Sequence, residues 1–148
     1  LILSPHHRIA GQHRISFEQI AAEPIIMKDL GSGTRRLVDD LFLNYGVPPN
    51  VLMETGDAEI IKLLVQHGEG ISFLVKEAVA VELQEKKLVS MPLEADPIFL
   101  DVTIAYLKNQ PLSPPAQAFL DSLKELGTKN MRFRGMGALM KKMLAEKK

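Results

Sequence analysis

At 148 residues and 46% hydrophobic composition, the chain can bury a real core, which excludes wholesale disorder and leaves room for one domain or one lobe plus pieces of another. Eighteen basic residues balance eighteen acidic ones, so no global field draws in nucleic acid or an anionic membrane. The absence of cysteine excludes a disulfide scaffold, thiolate zinc and thiol catalysis, and every apolar run is broken well short of the roughly 18 residues a membrane span needs.

The chain opens on Leu1-Ile2-Leu3-Ser4, an apolar run that reads as the middle of a strand and so as the start of an excised fragment. A polar loop, Pro5 to Arg14, follows. Ser16 and Gln19 then form the two ends of a capping box for a short helix that stops before Pro24. Ile25-Ile26-Met27 reads as a buried strand. Gly31-Ser32-Gly33-Thr34 opens a helix whose apolar face is Leu37, Val38, Leu41, Phe42 and Tyr45, with Gly46 placed to end it.

After Pro48-Pro49, Asn50 to Glu54 reads as a strand. Thr55-Gly56-Asp57 leads into a helix with Ile60, Ile61 and Leu64 inward and Gly68 beyond its end. Ile71 to Leu74 is a further strand, Lys76 to Glu85 a helix with Val79, Ala80 and Leu83 inward, and Leu88 to Leu93 an extended segment. This alternation implies a parallel sheet with helices on both faces. Pro97 to Leu107 reads as one long strand. Ser113-Pro114-Pro115 starts a helix presenting Ala116, Phe119, Leu120 and Leu123 and ending at Gly127. The tail carries seven basic residues against Glu146, with Met136, Leu139, Met140, Met143 and Leu144 at helical spacing. It reads either as a basic amphipathic helix for docking or nucleic acid, or as a C-terminal helix lying on the domain or a frayed solvated tail.

The segment with chemical content is Gly31 to Arg36. A strand that ends in glycines and turns into a helix aims unpaired N–H groups and the positive end of the helix dipole into the space above the sheet, which is a ready anion site. Ser32 and Thr34 add hydroxyls, and Arg35 or Arg36 can supply a full charge; the alternative is that Ser32 or Thr34 merely caps the helix. The spacing fits neither a P-loop, a dinucleotide fingerprint nor a nucleophile elbow. His6, His7, His13 and His67 lack paired metal-ligand spacing. Glu54, Asp57 and Glu59 cluster at a helix start where Asp57 reads as a cap. The residues therefore yield no catalytic group, no metal site and no cofactor, and the chain reads as a non-catalytic sensing domain for a small anionic ligand.

Taken in order, Pro24-Ile25-Ile26, Gly31-Ser32-Gly33-Thr34-Arg35-Arg36, Val51 to Glu54, Ile60-Ile61-Lys62-Leu63-Leu64-Val65 and Gly68-Glu69-Gly70-Ile71-Ser72-Phe73-Leu74 resemble the effector-binding domain of LysR-type transcriptional regulators. Ser4-Pro5-His6-His7-Arg8-Ile9-Ala10 resembles the family's segment that crosses between two lobes. The likeness runs from about residue 1 to 126; the tail after Gly127 departs from it.

The resemblance implies an α/β fold of the periplasmic-binding-protein type 2 kind, with a parallel-rich sheet and helices on both faces. Residues 1–94 would be the second lobe, 95–126 a strand and helix returning to the first lobe, and 127–148 a basic amphipathic tail. It implies effector contacts from Ser32, Gly33 and Thr34, from Thr55, Gly56 and Asp57, and from Ser4 near the crossover, although Asp57 repels an anion unless its charge is engaged in capping. It also implies a cytoplasmic regulator that reaches DNA only through an N-terminal domain outside this chain and works as a homo-oligomer, dimeric or, in the parent, tetrameric. Asn50 to Glu54, lacking an interior lysine, reads as a poorly defended sheet edge. The Pro97 to Leu126 strand and helix, without first-lobe partners, read as a second open surface, and a dimer is expected through one of these surfaces or by exchange of that strand and helix, against a monomer that folds them back. A transporter's solute-binding protein and a small anion-processing enzyme are the rival functions.

Overall fold

The structure, a computed structural model, describes residues 1–95, 98–100, 103–107 and 109–130. The chain divides into two compact units, Leu1–Val102 and Thr103–Lys148.

In the first unit the isoleucine-rich segments pair into a five-stranded sheet of order β3-β2-β4-β1-β5. Its strands are β1 (Ile2–Leu3), β2 (Ile25–Lys28), β3 (Val51–Thr55), β4 (Ile71–Ser72) and β5 (Val89–Ser90). β2 runs parallel to both β3 and β4, as strands joined through helices must. β1 departs from that pattern, lying antiparallel to both β4 and β5. The link from β1 to β2 is a long polar loop followed by one short helix, and nothing in it imposes a parallel return. β3 is an edge strand, with Val51 and Leu52 exposed.

Alternation along the central strands splits the core in two. Ile25 and Met27 face one side with Leu3, Ile71 and Phe73. They are covered there by α1 (Phe17–Ala21) and α2 (Gly33–Tyr45) through Phe17, Ile20, Val38 and Phe42. The Phe17 and Phe42 rings meet edge to face at 5.5 Å, and Tyr45 stacks on Phe17 at 4.0 Å. Ile26 and Ile2 face the other side, against Ile61 and Val65 of α3 (Ala58–Gln66) and Val79 and Leu88 around α4 (Ala80–Gln84). Each of the large residues buried completely stabilises the fold by roughly 1.5–3 kcal/mol relative to exposure.

The local signals act as read at several ends. Ser16 and Gln19 close a reciprocal capping box on α1, and Gly46, at φ 69°, ends α2 in the left-handed conformation. Other readings need correction. Ile60 is 43% exposed, because α3 turns Ile61, Lys62 and Val65 inward and Ile60 lies one residue, about 100° of helix, out of phase. Ala80 is exposed because its segment begins as a 3-10 turn over Lys76–Val79, whose tighter winding brings Val79 inward instead. Among the described residues of 97–107 there is no strand; an extended segment becomes one only with a ladder partner.

In the second unit α5 (Pro114–Asn130) starts where the proline pair predicts but continues past Gly127, since an interior glycine costs a helix only about 1 kcal/mol. Of its expected inward residues, Leu120 is buried and Leu123 half-buried, whereas Ala116 and Phe119 are exposed. Residues 131–148, which carry most of the basic amphipathic pattern, lie outside the described residues.

Candidate functional site

The parallel pairing of β2 and β3 sets Lys28 opposite Thr55, so the loops leaving the two strands emerge side by side at the C-terminal ends of these strands. The first loop, Asp29 to Ser32, turns through Gly31 at φ 94°, a conformation that a Cβ disfavours. It closes with the Ser32 amide donating to the Asp29 carbonyl at 3.3 Å. Ser32 then caps α2, its hydroxyl accepting from the Arg35 amide at 3.4 Å. The second loop is shorter. Thr55 accepts from the Asp57 amide at 3.2 Å, and Asp57 caps α3 by accepting from the amides of Glu59 at 2.8 Å and Ile60 at 3.5 Å.

The two loops touch. A Cβ at Gly56 would stand 3.0 Å from the Asp29 carboxylate, and the Lys28 ammonium donates to the Gly56 carbonyl. A Cβ at Gly33 would stand 3.3 Å from the Leu100 side chain, so the segment around Leu100 borders the start of α2. Through the Asp29–Gly56 and Lys28–Gly56 contacts, the loop that leads to Ser32, Gly33 and Thr34 lies against the loop of Thr55, Gly56 and Asp57, and the two form a ledge.

Ser4 is not gathered there. Because β1 runs antiparallel, the chain leaves it at the opposite end of the strands. Ser4 is buried in that place, accepting from the His6 amide at 3.4 Å. It lines a shallow concavity with His6, His7, Arg8, Gln66, His67 and Gly68, at the far end of α3 from Asp57. Another, lined by Arg8, Ile9, Gln12, Glu18, Gln19 and Ala22, is also away from the ledge. Buried Glu23 lies nearby, with Arg8 Nη2 2.5 Å from Oε1 but without hydrogen-bond geometry, and His7 Nε2 3.6 Å from Oε2.

Electrostatics separates the two helix starts. α2 has no acidic residue in its first turn. Ser32 takes the amides of Arg35 and, through its carbonyl, Arg36; those of Gly33 and Thr34 have no protein acceptor among the described residues. α3 starts on Asp57 with Glu59 in its first turn. Arg35, a candidate charge for the ligand, turns inward instead. Its Nε lies 2.9 Å from both oxygens of Asp39, and its Nη1 contacts Glu54 at 2.8 Å and the Lys28 carbonyl at 3.1 Å. Burial opposes its charge, but the hydrogen bonds to Glu54 and Asp39 outweigh burial and raise its pKa. Arg36 is exposed. Lys28 escaped the reading of the residues alone; its only sequence signal is a cation at the last position of a strand before a glycine turn.

The family model described as LysR substrate binding domain matches residues 1–128. The chain belongs to the LysR substrate-binding domain family. Curated relatives of this LysR domain include the HTH-type transcriptional activator CmpR of Synechocystis, 37% identical over 123 residues, and the HTH-type transcriptional regulator CbbR of Rhodospirillum rubrum, 33% identical over 113 residues. These alignments cover 83% and 76% of this chain but 40% and 38% of the relatives. Among solved structures, the regulatory domain of Synechocystis CcmR in complex with 2-PG is 32% identical, with a TM-score of 0.73 over 88% of this chain and 62% of that one. The effector-binding domain of QuiR in complex with shikimate shares the fold at a TM-score of 0.73 and 24% identity, over 88% of this chain and 61% of that one. The α/β fold with its mostly parallel sheet is that of LysR regulatory domains.

Proposed function

We propose that this chain is the effector-sensing part of a LysR-type transcriptional regulator and that the ledge formed by Ser32–Thr34 and Thr55–Asp57 binds a small anionic effector. The observation that carries the reading is the start of α2: two N–H groups without protein acceptors among the described residues, a first turn without acid and the positive end of the dipole, with the Lys28 ammonium held on the Gly56 carbonyl of the adjoining loop. An anion there gains about 0.3–1 kcal/mol from the helix end when exposed and up to about 2 kcal/mol when partly buried. The match to CcmR, crystallised with 2-PG, supports a small ligand in this domain.

A ledge becomes a pocket only when a second wall faces it. We read residues 1–94 as one lobe, 95–126 as the return toward another and 127–148 as a tail. The effector bridges the lobes and favours one of their arrangements. Its leverage is its differential affinity for the two states, typically about 1–3 kcal/mol. The parent protein, on this reading, is cytoplasmic and non-catalytic, contacts DNA through a segment outside this chain and dimerises through the β3 edge or by exchange of its C-terminal elements. The curated relatives are transcriptional regulators, which disfavours a transporter's solute-binding protein; no helix of the described residues is long and apolar enough to cross a membrane.

The test is calorimetric titration of the full-length protein with 2-PG and with inorganic phosphate. Binding is expected, with Thr34→Ala weakening it by about 1 kcal/mol or more if the hydroxyl donates. Binding of neither anion overturns the ligand class, and binding that ignores Thr34 reduces that residue to a bystander. Sedimentation equilibrium tests the dimer: a monomer mass throughout the micromolar range overturns it.

A further inference from the structure

We propose that Arg35 is the positioning residue of the anion site: it fixes the first turn of α2 to the ends of β2 and β3 and withdraws the charges of Glu54 and Asp39 from the ledge. The inference rests on the anion-binding reading above and extends it to a residue that does not touch the ligand.

The guanidinium is a planar fork whose donors are fixed relative to one another. Here they are engaged from three directions. Nε faces both oxygens of Asp39, one turn further along α2, at 2.9 Å. Nη1 reaches Glu54 on β3 at 2.8 Å and the carbonyl of Lys28 on β2 at 3.1 Å. The side chain is 11% exposed, against 43% for Asp39 and 40% for Glu54. The partly solvated carboxylates are thus drawn onto a buried cation. Glu54 directly precedes Thr55 of the ledge, so without Arg35 its charge would act on any anion held there. A lysine supplies the charge but not the fork, and cannot span the same three partners. Arg36, one residue on, is exposed and makes none of these contacts.

The experiment is titration of the full-length protein with 2-PG and inorganic phosphate at two ionic strengths, with parallel amide exchange at residues 35–39. Arg35→Met is expected to weaken anion binding by about tenfold and Arg35→Lys by less, whereas Arg36→Met leaves it within about twofold. Arg35→Met/Asp39→Asn/Glu54→Gln is expected to return to within about threefold of the parent, since the two carboxylates that Arg35 holds are then neutral. Glu54→Gln alone, which leaves Arg35 less neutralised, is expected to tighten binding and steepen its salt dependence. A triple variant as weak as Arg35→Met, or equal losses at Arg35 and Arg36, overturns the proposal. If Arg35→Met does not fold, Glu54→Gln decides: unchanged or weaker binding sinks the idea. Should the parent bind neither anion, the ligand reading fails, and exchange still judges the clamp: faster exchange at 35–39 in Arg35→Lys supports it, and unchanged protection overturns it.

Discussion

Helices α2 and α3 follow the two strands of one parallel pair and start at the same end of those strands, on opposite faces of the sheet. They differ in how they are anchored and in what their first turns do with charge. α2 is held by Val38 and by Phe42, whose ring packs against Phe17 and Phe73. α3 is held by Ile61 and Val65 and by Lys62, which pairs with Glu59 at 2.7 Å and Glu82 at 2.8 Å and donates to the Ala78 carbonyl at 3.4 Å. The start of α3 already carries carboxylates, whereas that of α2 carries none. The two helix starts therefore differ in side-chain charge, and on the proposed reading that difference makes them unequal toward an anion.

The largest expected effect breaks the anchors. Phe42→Ala should cost about 3–5 kcal/mol and Ile61→Val about 0.5–1.5 kcal/mol in urea unfolding. Near-equal losses would show that the aromatic contacts add nothing to α2.

A smaller effect addresses the caps. Ser32→Ala and Asp57→Ala should each destabilise by about 1 kcal/mol in the same assay, because each removes an acceptor for first-turn amides. A loss at only one position would mean that the other loop is held by different contacts.

Charge at α3 sharpens the contrast further. Asp57→Asn keeps a capping oxygen but removes a carboxylate from the ledge, and should strengthen phosphate binding by about 0.3–1 kcal/mol. Unchanged affinity in calorimetry would place the anion out of reach of Asp57.

The smallest effect is one of pH. The hydrogen bond from Lys62, foremost, lowers the Glu82 pKa below its ordinary 4.5. This contribution to stability is present above that value and is lost as pH falls through the lowered one. Hydrogen bonds to Glu59 and then Glu82 raise the Lys62 pKa above its ordinary 10.5, so on the alkaline side the pair's contribution is full below 10.5 and fades as pH rises through the raised value. Thermal unfolding of Glu82→Gln should show a shallower loss of stability below pH 4.5 than the parent; equal slopes would detach Glu82 from the anchoring of α3.

What the residues determined by themselves was local. The capping box of Ser16 and Gln19, the left-handed stop at Gly46, the Ser32 and Asp57 caps and the alternation of Ile25, Ile26 and Met27 each arise from atoms a few positions apart. Sequence spacing states those contacts directly. The helix start that forms the candidate site was legible for the same reason. The tertiary structure decided everything that depends on distant partners. An antiparallel β1 carries Ser4 to the far end of the strands. Contact with Glu54, 19 positions away, makes Arg35 rather than Arg36 the inward arginine, and Lys28 meets Gly56 only because β2 and β3 pair in that register. Ile60 and Ile61 are the same residue type, and the sheet against which α3 packs selects Ile61 for burial. The physical reason is that strand direction and burial are set by pairing and packing between segments far apart in the chain, and identical local sequence is compatible with either outcome.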